Sequence, residues 1–194
     1  QMFGPNGPLA SASSPIVRLN PHQKNALRGL QEAAGATKLL YGVTGSGKTN
    51  IYLEMAKNAL KRQKSVVLLV PEIALTGQLV QVFQEIFGSD VVLIHSKQTE
   101  TERQKIFDSL LMKKAPKVVV GPRSALFAPL GDLGLIIIDE EHENTYYQEN
   151  PPKYSAIRVA SIMAAELKCD CILGSATPNV CDYYIAKRKG SLAT

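Results

Sequence analysis

The clearest chemical signal in the sequence is GVTGSGKT at residues 42–49, which fits G-x-x-x-x-G-K-[ST] without a gap. It lies between a predicted strand and a predicted helix. Its glycines let the backbone wrap closely around phosphate oxygens, and the helix start presents unpaired N–H groups to the anion. Lys48 can reach the β- and γ-phosphates, and the hydroxyl of Thr49 can ligate Mg²⁺. We therefore predict an ATP site formed by Gly42, Val43, Thr44, Gly45, Ser46, Gly47, Lys48 and Thr49.

An acidic run, DEEH at residues 139–142, comes directly after an aliphatic run that begins at Leu133. Charge at the end of a buried strand is costly unless a cation or a partner group meets it. The carboxyl ends of parallel strands open on one edge of a sheet, so Asp139 is expected near the phosphate-binding residues. We predict that Asp139 and Thr49 hold Mg²⁺ and that Glu140 orients or deprotonates the attacking water. A solvated acidic loop is the alternative.

A third predicted strand end carries GSATP at residues 174–178. Ser175 and Thr177 bring small hydroxyl side chains to the same edge, within reach of the acidic run. Taken alone, the SAT triplet is a weak signal. Gln23 is equally weak by itself, although it lies only 19 positions before Gly42, because most glutamines are solvated surface residues.

These segments need a scaffold, and the hydrophobic pattern predicts one. Short apolar runs without polar alternation are typical of strands buried on both faces. Such runs occupy residues 37–42, 65–70, 91–95, 117–120, 133–139 and 169–174. Helices are predicted between them, at residues 21–35, 47–63, 74–88, 99–114 and 155–167. This alternation implies an α/β fold with a doubly wound, mainly parallel sheet and helices on both faces.

Composition limits the function classes without choosing one. The chain has 194 residues, 45% of them apolar and 20% charged, which suits one globular domain with a sizeable core. Its net charge of +5 permits a polyanionic partner but does not require one. Cys169, Cys171 and Cys181 lack paired spacing and predict free thiols in a reducing cytoplasm. No apolar run approaches the ~20 residues of a membrane span, so no membrane partner is expected.

The order GKT, DEEH and SAT resembles helicase superfamily two, in which these segments are motifs I, II and III. The resemblance implies a RecA-like ATPase lobe that uses ATP and Mg²⁺. It also implies that Gln23 reads the edge of the adenine base. His142, Ser175 and Thr177 would couple the acidic run to the rest of the motor.

Three further motifs are similar to the PriA family of primosomal replication-restart helicases: VPEIALT at 70–76, HS at 95–96 and GPRSALF at 121–127. The resemblance covers about residues 18–190. It implies an ATP-dependent 3′-to-5′ DNA helicase whose partners are ATP or ADP, single-stranded and forked DNA, and replication-restart proteins. Thr76 and Arg123 would contact DNA phosphates. For Arg123 a surface ion pair is the alternative.

The loop after the acidic run departs from this family's pattern. Tyr147 stands where the family has lysine, and earlier in the chain Pro122 stands where it has threonine. In related helicases this loop links DNA to the ATP site. Tyr146 and Tyr147 could stack on the bases of DNA, or one of them could pack in the core.

We expect residues 20–194 to form one motor lobe, and residues 1–19 to be a linker or partly an expression remnant. The resemblance also implies a second lobe with arginines for the transferring phosphate, and zinc-binding cysteines, which this sequence does not contain. The isolated chain should therefore be nearly inactive. Two alternatives stay open: a nucleotide-gated binding module without turnover and, less favoured, a P-loop small-molecule kinase. A kinase would need an arginine-bearing lid where this chain has an acidic, tyrosine-rich loop.

Overall fold

A computed structural model describes residues 18–33, 35–112 and 115–194 of the chain. The expected linker therefore lies outside the described residues, except for Arg18 and Leu19. All three cysteines are free thiols, as their spacing predicted. Within the described ranges, no helix combines the length and the apolar content that crossing a membrane requires.

The strands of the described chain form one large sheet and one small hairpin. Their bounds are β1 Thr37–Tyr41, β2 Ser65–Leu69, β3 Val91–Leu93, β4 Val118–Gly121, β5 Leu133–Asp139, β6 Tyr147–Gln148, β7 Tyr154–Ser155, β8 Asp170–Ser175 and β9 Leu192–Ala193. The large sheet has the order β3-β4-β2-β5-β8-β1-β9, and each of its neighbouring pairs runs parallel. Strands β6 and β7 pair antiparallel. The predicted α/β class with a parallel sheet is confirmed.

Helices cover both faces of the sheet. Their bounds are α1 Pro21–Glu32, α2 Lys48–Lys61, α3 Gln78–Phe87, α4 Glu100–Met112, α5 Ala156–Leu167 and α6 Val180–Lys189. Helices α1, α2 and α3 bury their apolar residues in one core cluster, and α4, α5 and α6 contribute to a second. The sheet is thus doubly wound, with a separate hydrophobic core on each face.

Strand β2 shows why the apolar runs carry no polar alternation. Successive side chains of a strand point to opposite faces. Val66 and Leu68 accordingly belong to the core under α1–α3, whereas Val67 and Leu69 belong to the core under α4–α6. Every residue of this strand is buried. A strand packed on both faces needs an apolar residue at each position, and this need produced the sequence signal.

Some elements differ from the predicted ones. The helix predicted over residues 74–88 is divided at Gly77, whose backbone is extended and caps α3. The residues before it, Glu72–Thr76, form a separate 3-10 turn. Helix α6, the hairpin and β9 were not predicted, because two-residue strands have no periodicity and α6 is nearly as polar on one side as on the other.

The parallel arrangement brings the ends of five strands to one edge. Register pairs Tyr41 with Ser175, Asp139 with Gly174, and Leu69 with both Gly121 and Ile138. We call this edge the carboxyl edge and the opposite one, where the strands begin, the amino edge. The loops that follow β1, β2, β4, β5 and β8 all start at the carboxyl edge, so the predicted motifs lie on neighbouring loops.

Candidate nucleotide-binding site

The loop over residues 42–47 joins β1 to α2 and has the backbone of an anion cradle. Gly45 and Gly47 adopt φ angles of 79° and 81°, a left-handed conformation that favours glycine. No side chain caps the start of α2 at Gly47. The first N–H groups of this helix are therefore without a side-chain cap, and uncapped N–H groups at a helix start stabilise phosphate oxygens. Lys48 now donates from Nζ to the carbonyl of Gly42 at 2.8 Å.

A cavity of about 460 Å³ opens between this loop and the end of β5, and we call it the nucleotide cavity. Thr49 and Asp139, the two predicted Mg²⁺ ligands, both line it, and so do Lys48 and Glu140. The far wall is the start of α3, with Gln78, Leu79 and Val82. A hydroxyl and a carboxylate are the hard oxygen donors that Mg²⁺ takes alongside phosphate oxygens, so these residues fit the nucleotide and its metal.

Asp139 is held from two sides by tyrosines. Its Oδ1 accepts a hydrogen bond from the Tyr52 hydroxyl at 2.9 Å, and its backbone carbonyl accepts one from the Tyr146 hydroxyl at 2.5 Å. Burial raises the pKa of the Asp139 carboxyl, while the Tyr52 hydrogen bond and the Lys48 charge act in the opposite direction. Burial likewise raises the pKa of Tyr52 well above its ordinary value, so this hydroxyl keeps its proton and donates.

The prediction that Tyr146 stacks on DNA bases is corrected by its position. Its ring is 1% exposed, and its hydroxyl oxygen also lies 3.2 Å from the carbonyl oxygen of Leu69, so its one proton can be shared between the two carbonyls. A ring enclosed in this way cannot meet a base without unpacking the core. Tyr147, the next residue, is 46% exposed and stays available to a ligand.

Glu141 and His142 connect the acidic run to β8 and α6. The buried Glu141 accepts the N–H of Asn179 at 2.9 Å, and its own N–H donates to Gly174 at 3.0 Å. Desolvation raises the pKa of the Glu141 carboxyl, partly offset by the Asn179 hydrogen bond. Nδ1 of His142 lies 2.8 Å from Oγ of Ser175.

Ser175 is the meeting point of three predicted motifs. Besides its contact with the His142 ring, its Oγ accepts the backbone N–H of Thr177 at 3.0 Å. Its carbonyl accepts the N–H of Gly42, the first residue of the phosphate loop, at 3.1 Å. The structure thus brings His142, Ser175 and the backbone of Thr177 into one hydrogen-bonded group beside the nucleotide cavity.

Gln23 contacts the phosphate loop itself. It sits in a capping box at the start of α1, where its Oε1 accepts the N–H of Asn20 at 3.0 Å. Its Nε2 donates to the carbonyls of Ser46 at 3.1 Å and Gly47 at 3.4 Å. The expected contact between this amide and an adenine edge would therefore have to replace hydrogen bonds that now support the loop.

The predicted DNA contacts lie on the same edge as the cavity. Thr76 is exposed at the end of the 3-10 turn that follows β2. Arg123 follows β4, and its Nη1 donates to the carbonyls of Thr145 at 2.7 Å and Tyr147 at 3.3 Å. The guanidinium therefore binds the loop after the acidic run, rather than forming the surface ion pair that was its alternative.

Sequence reasoning missed Tyr52, Asn179 and the α3 residues that wall the cavity. Tyr52 lies one turn after Thr49 on α2. The one feature of the sequence that could have indicated a role for it is a side chain with a hydroxyl group on the buried face of that helix. Asn179 caps α6 and carries the N–H that Glu141 accepts, a role that no local pattern reveals. Gln78 follows Gly77 in a helix whose start was misplaced.

The chain matches the protein family described as DEAD/DEAH box helicase over residues 20–183. It is 44% identical over 170 residues to "Replication restart protein PriA" of Chlamydia pneumoniae, covering 85% of this chain and 23% of that protein. It is 42% identical over 174 residues to the protein of the same name from Bacillus subtilis, covering 88% of this chain and 22% of the relative. The chain thus spans about a quarter of the length of these curated relatives.

Two solved structures share the fold. The Pyrococcus furiosus Hef helicase domain matches with a TM-score of 0.59 at 24% identity, covering 81% of this chain and 32% of that one. T4 UvsW matches with a TM-score of 0.55 at 19% identity, covering 91% of this chain and 34% of that one. At these identities the likeness concerns the fold alone.

Proposed function

The chain belongs to the DEAD/DEAH box helicase family, and from that premise we propose that residues 20–194 are the ATP-binding first motor lobe of a 3′-to-5′ DNA helicase. The helicase would act in replication restart, which the name of these relatives describes for those proteins, and in primosome assembly. Its partners would be single-stranded and forked DNA and other replication-restart proteins in the cytoplasm. Residues 1–19 would be a linker or partly an expression remnant.

The observation that carries the proposal is the cavity shared by the phosphate loop and the end of β5. A phosphate cradle alone would suit many ligands. Here it faces a carboxylate that burial makes costly to ionise, beside a hydrogen-bonded group that reaches a third strand end. Such an arrangement supports a site in which the loops after β5 and β8 would move according to whether ATP or ADP is bound.

Each residue would have one task in ATP hydrolysis. Lys48 would release the Gly42 carbonyl and meet phosphate oxygens, and Thr49 and Asp139 would hold Mg²⁺. When bound, the metal ion neutralises charge on the β- and γ-phosphate oxygens. Glu140, at φ 48° directly after β5, would orient or deprotonate the attacking water.

Movement would be linked to this chemistry through two sets of contacts. His142 and Ser175, with the N–H of Thr177, would pass changes in the acidic run to β8 and α6. Thr76, Arg123 and Tyr147 would meet DNA, the first two at phosphates and the third at a base. Arg123 already binds the backbone of the loop that carries Tyr147, so DNA and that loop would share its guanidinium.

Three measurements test the proposal. Calorimetry on the 194-residue chain should show binding of ATP with Mg²⁺, and a strand-displacement assay on the same chain should show no unwinding, because one lobe covers one face of the nucleotide. In the full-length protein, single-stranded DNA should stimulate ATP turnover strongly. Binding without turnover there would favour a nucleotide-gated module, and phosphoryl transfer to a small molecule would favour a kinase.

A further inference from the structure

Tyr52 is a buried polar residue for which the proposed mechanism has no task. It lies on α2, one turn after Thr49, and its side chain is fully enclosed in the core between that helix and the sheet. Its hydroxyl nevertheless donates at 2.9 Å to Oδ1 of Asp139, a residue that lines the nucleotide cavity. A phenylalanine would fill most of the same volume, so the hydroxyl needs its own explanation.

The fit around this hydroxyl is also close at Gly174 of β8. A Cβ placed on Gly174 would overlap the oxygen of the Tyr52 hydroxyl, and it would also press on the ring. Position 174 therefore leaves room for the hydroxyl by having no side chain. Gly174 pairs in register with Asp139 across β5 and β8, so the Tyr52 hydroxyl lies against both members of this pair.

The hydrogen bond from Tyr52 restricts the rotation of a carboxylate that also interacts with the backbone N–H of Glu140. The carboxylate of Asp139 is thereby held in one direction at the cavity that it lines. Carboxylates that ligate metals are regularly held by such outer partners, which set their direction. Tyr52 itself does not line the cavity, so it touches neither phosphate nor metal.

We propose that Tyr52 is a positioning residue, which holds Asp139 so that one carboxylate oxygen faces the Mg²⁺ ion of the bound nucleotide. The inference rests on the proposed function, since it assumes that Asp139 ligates the metal. It adds a residue from outside the motifs and explains why glycine occupies position 174.

Metal affinity is the property to measure, with Mn²⁺ as the probe in place of Mg²⁺. Free Mn²⁺ is counted by electron paramagnetic resonance while it is titrated into the 194-residue chain saturated with ATP. Tyr52→Phe keeps the ring and removes the hydroxyl, and we expect Mn²⁺ to bind about 10-fold more weakly. ATP affinity measured in EDTA should stay unchanged, because the hydroxyl does not contact the phosphate loop.

Tyr154→Phe is the matched control. Tyr154 lies on β7, its ring packs against Phe127 at 5.5 Å between centroids, and it does not line the nucleotide cavity. The same chemical change there should leave Mn²⁺ affinity at the wild-type value. If thermal melting shows that Tyr52→Phe does not fold, Tyr52→Met replaces it, since a flexible thioether fills irregular space and also lacks the donor.

The outcomes separate the inference from the proposed function. If wild-type chain with ATP binds no Mn²⁺ beyond what ATP binds alone, the proposed metal site itself is wrong. If wild type binds Mn²⁺ and folded Tyr52→Phe binds it equally well, the site stands and the inference about Tyr52 is overturned. A loss of ATP affinity in EDTA as large as the loss of Mn²⁺ affinity would also overturn it, because that pattern indicates general structural damage.

Discussion

The two edges of the sheet differ in how their charged side chains are paired. At the amino edge, lysines bind aspartates from adjacent strands or the turns before them: Lys38–Asp170 at 2.7 Å, Lys64–Asp132 at 3.0 Å and Lys117–Asp90 at 2.6 Å. At the carboxyl edge the acidic run and Glu143 are adjacent in the chain, and in the described residues the ring of His142 is the basic group that lies within 4.0 Å of their carboxylates, at Glu140 and Glu143. Burial raises the pKa of two of its carboxyls, Asp139 and Glu141.

Cavity size does not separate the two edges, whereas charge does. A cavity of about 490 Å³ at the amino edge, near Arg62 and Asp170, is slightly larger than the nucleotide cavity of about 460 Å³. At the amino edge, each of these three lysines is neutralised by an aspartate. Buried acids without a paired cation cost stability, and a metal ion bound at the carboxyl edge would offset that cost.

The largest expected difference between the edges comes from replacing one lysine at each, because one change should affect nucleotide binding and the other stability. Lys48→Ala should abolish detectable nucleotide binding by calorimetry, because the cation that faces the phosphates is lost, while thermal stability stays close to wild type. Lys38→Met, at the amino edge, should lower the free energy of unfolding by about 1–3 kcal/mol and leave nucleotide affinity unchanged. Near-normal ATP affinity in Lys48→Ala would contradict the assignment of the phosphate loop.

Glu140 should affect chemistry without affecting binding. In the full-length protein, Glu140→Gln keeps the shape of the side chain but removes the base, so ATP should still bind while hydrolysis falls by ~10²–10⁴. Glu143→Gln, three residues on and outside the nucleotide cavity, is the matched control and should hydrolyse ATP normally. Loss of ATP binding in Glu140→Gln would instead indicate a structural role.

Tyr146 and Tyr147 are adjacent, but we expect replacement of the first to affect stability and replacement of the second to affect DNA binding. Tyr146→Ala should lower the free energy of unfolding by about 3–5 kcal/mol, because a buried ring and its hydrogen bonds are lost. Tyr147→Ala should leave stability within ~0.5 kcal/mol. In the full-length protein it should weaken binding of single-stranded DNA by about 1–3 kcal/mol, measured by fluorescence anisotropy. Unchanged DNA affinity would remove Tyr147 from the proposed contacts.

The smallest effect is expected from neutralising Glu141. Because burial raises the pKa of this carboxyl above 4.5, the folded state binds its proton more readily than the unfolded state. Its ionisation therefore costs stability as the pH rises from about 4.5 through the raised pKa.

Glu141→Gln keeps the oxygen that accepts from Asn179 and removes the charge. In urea unfolding, the variant should become progressively more stable than wild type as the pH rises from 4 to 8, because only wild type carries the costly charge. A variant that loses stability relative to wild type over this range would show that the ionised carboxylate is favourable where it lies.

Much of the candidate site was predictable because its signals are local. The phosphate loop needs its glycines, Lys48 and Thr49 within eight consecutive residues, and the aliphatic run before Asp139 identifies a strand end. One general rule, that parallel strands open on the same edge, then places these segments side by side. Thr49 and Asp139 accordingly line one cavity in the folded chain.

The sequence by itself thus determined the fold class and the segments at the carboxyl edge, because strand burial and phosphate binding both depend on neighbouring residues in the chain. Tertiary structure alone decided which side chains meet there. Tyr146 and Tyr147 are adjacent, yet the turn before β6 sends one ring into the core and the other outward. The hydroxyl of Tyr52 meets Asp139 across 87 positions of sequence, because packing of α2 on the sheet brings them together.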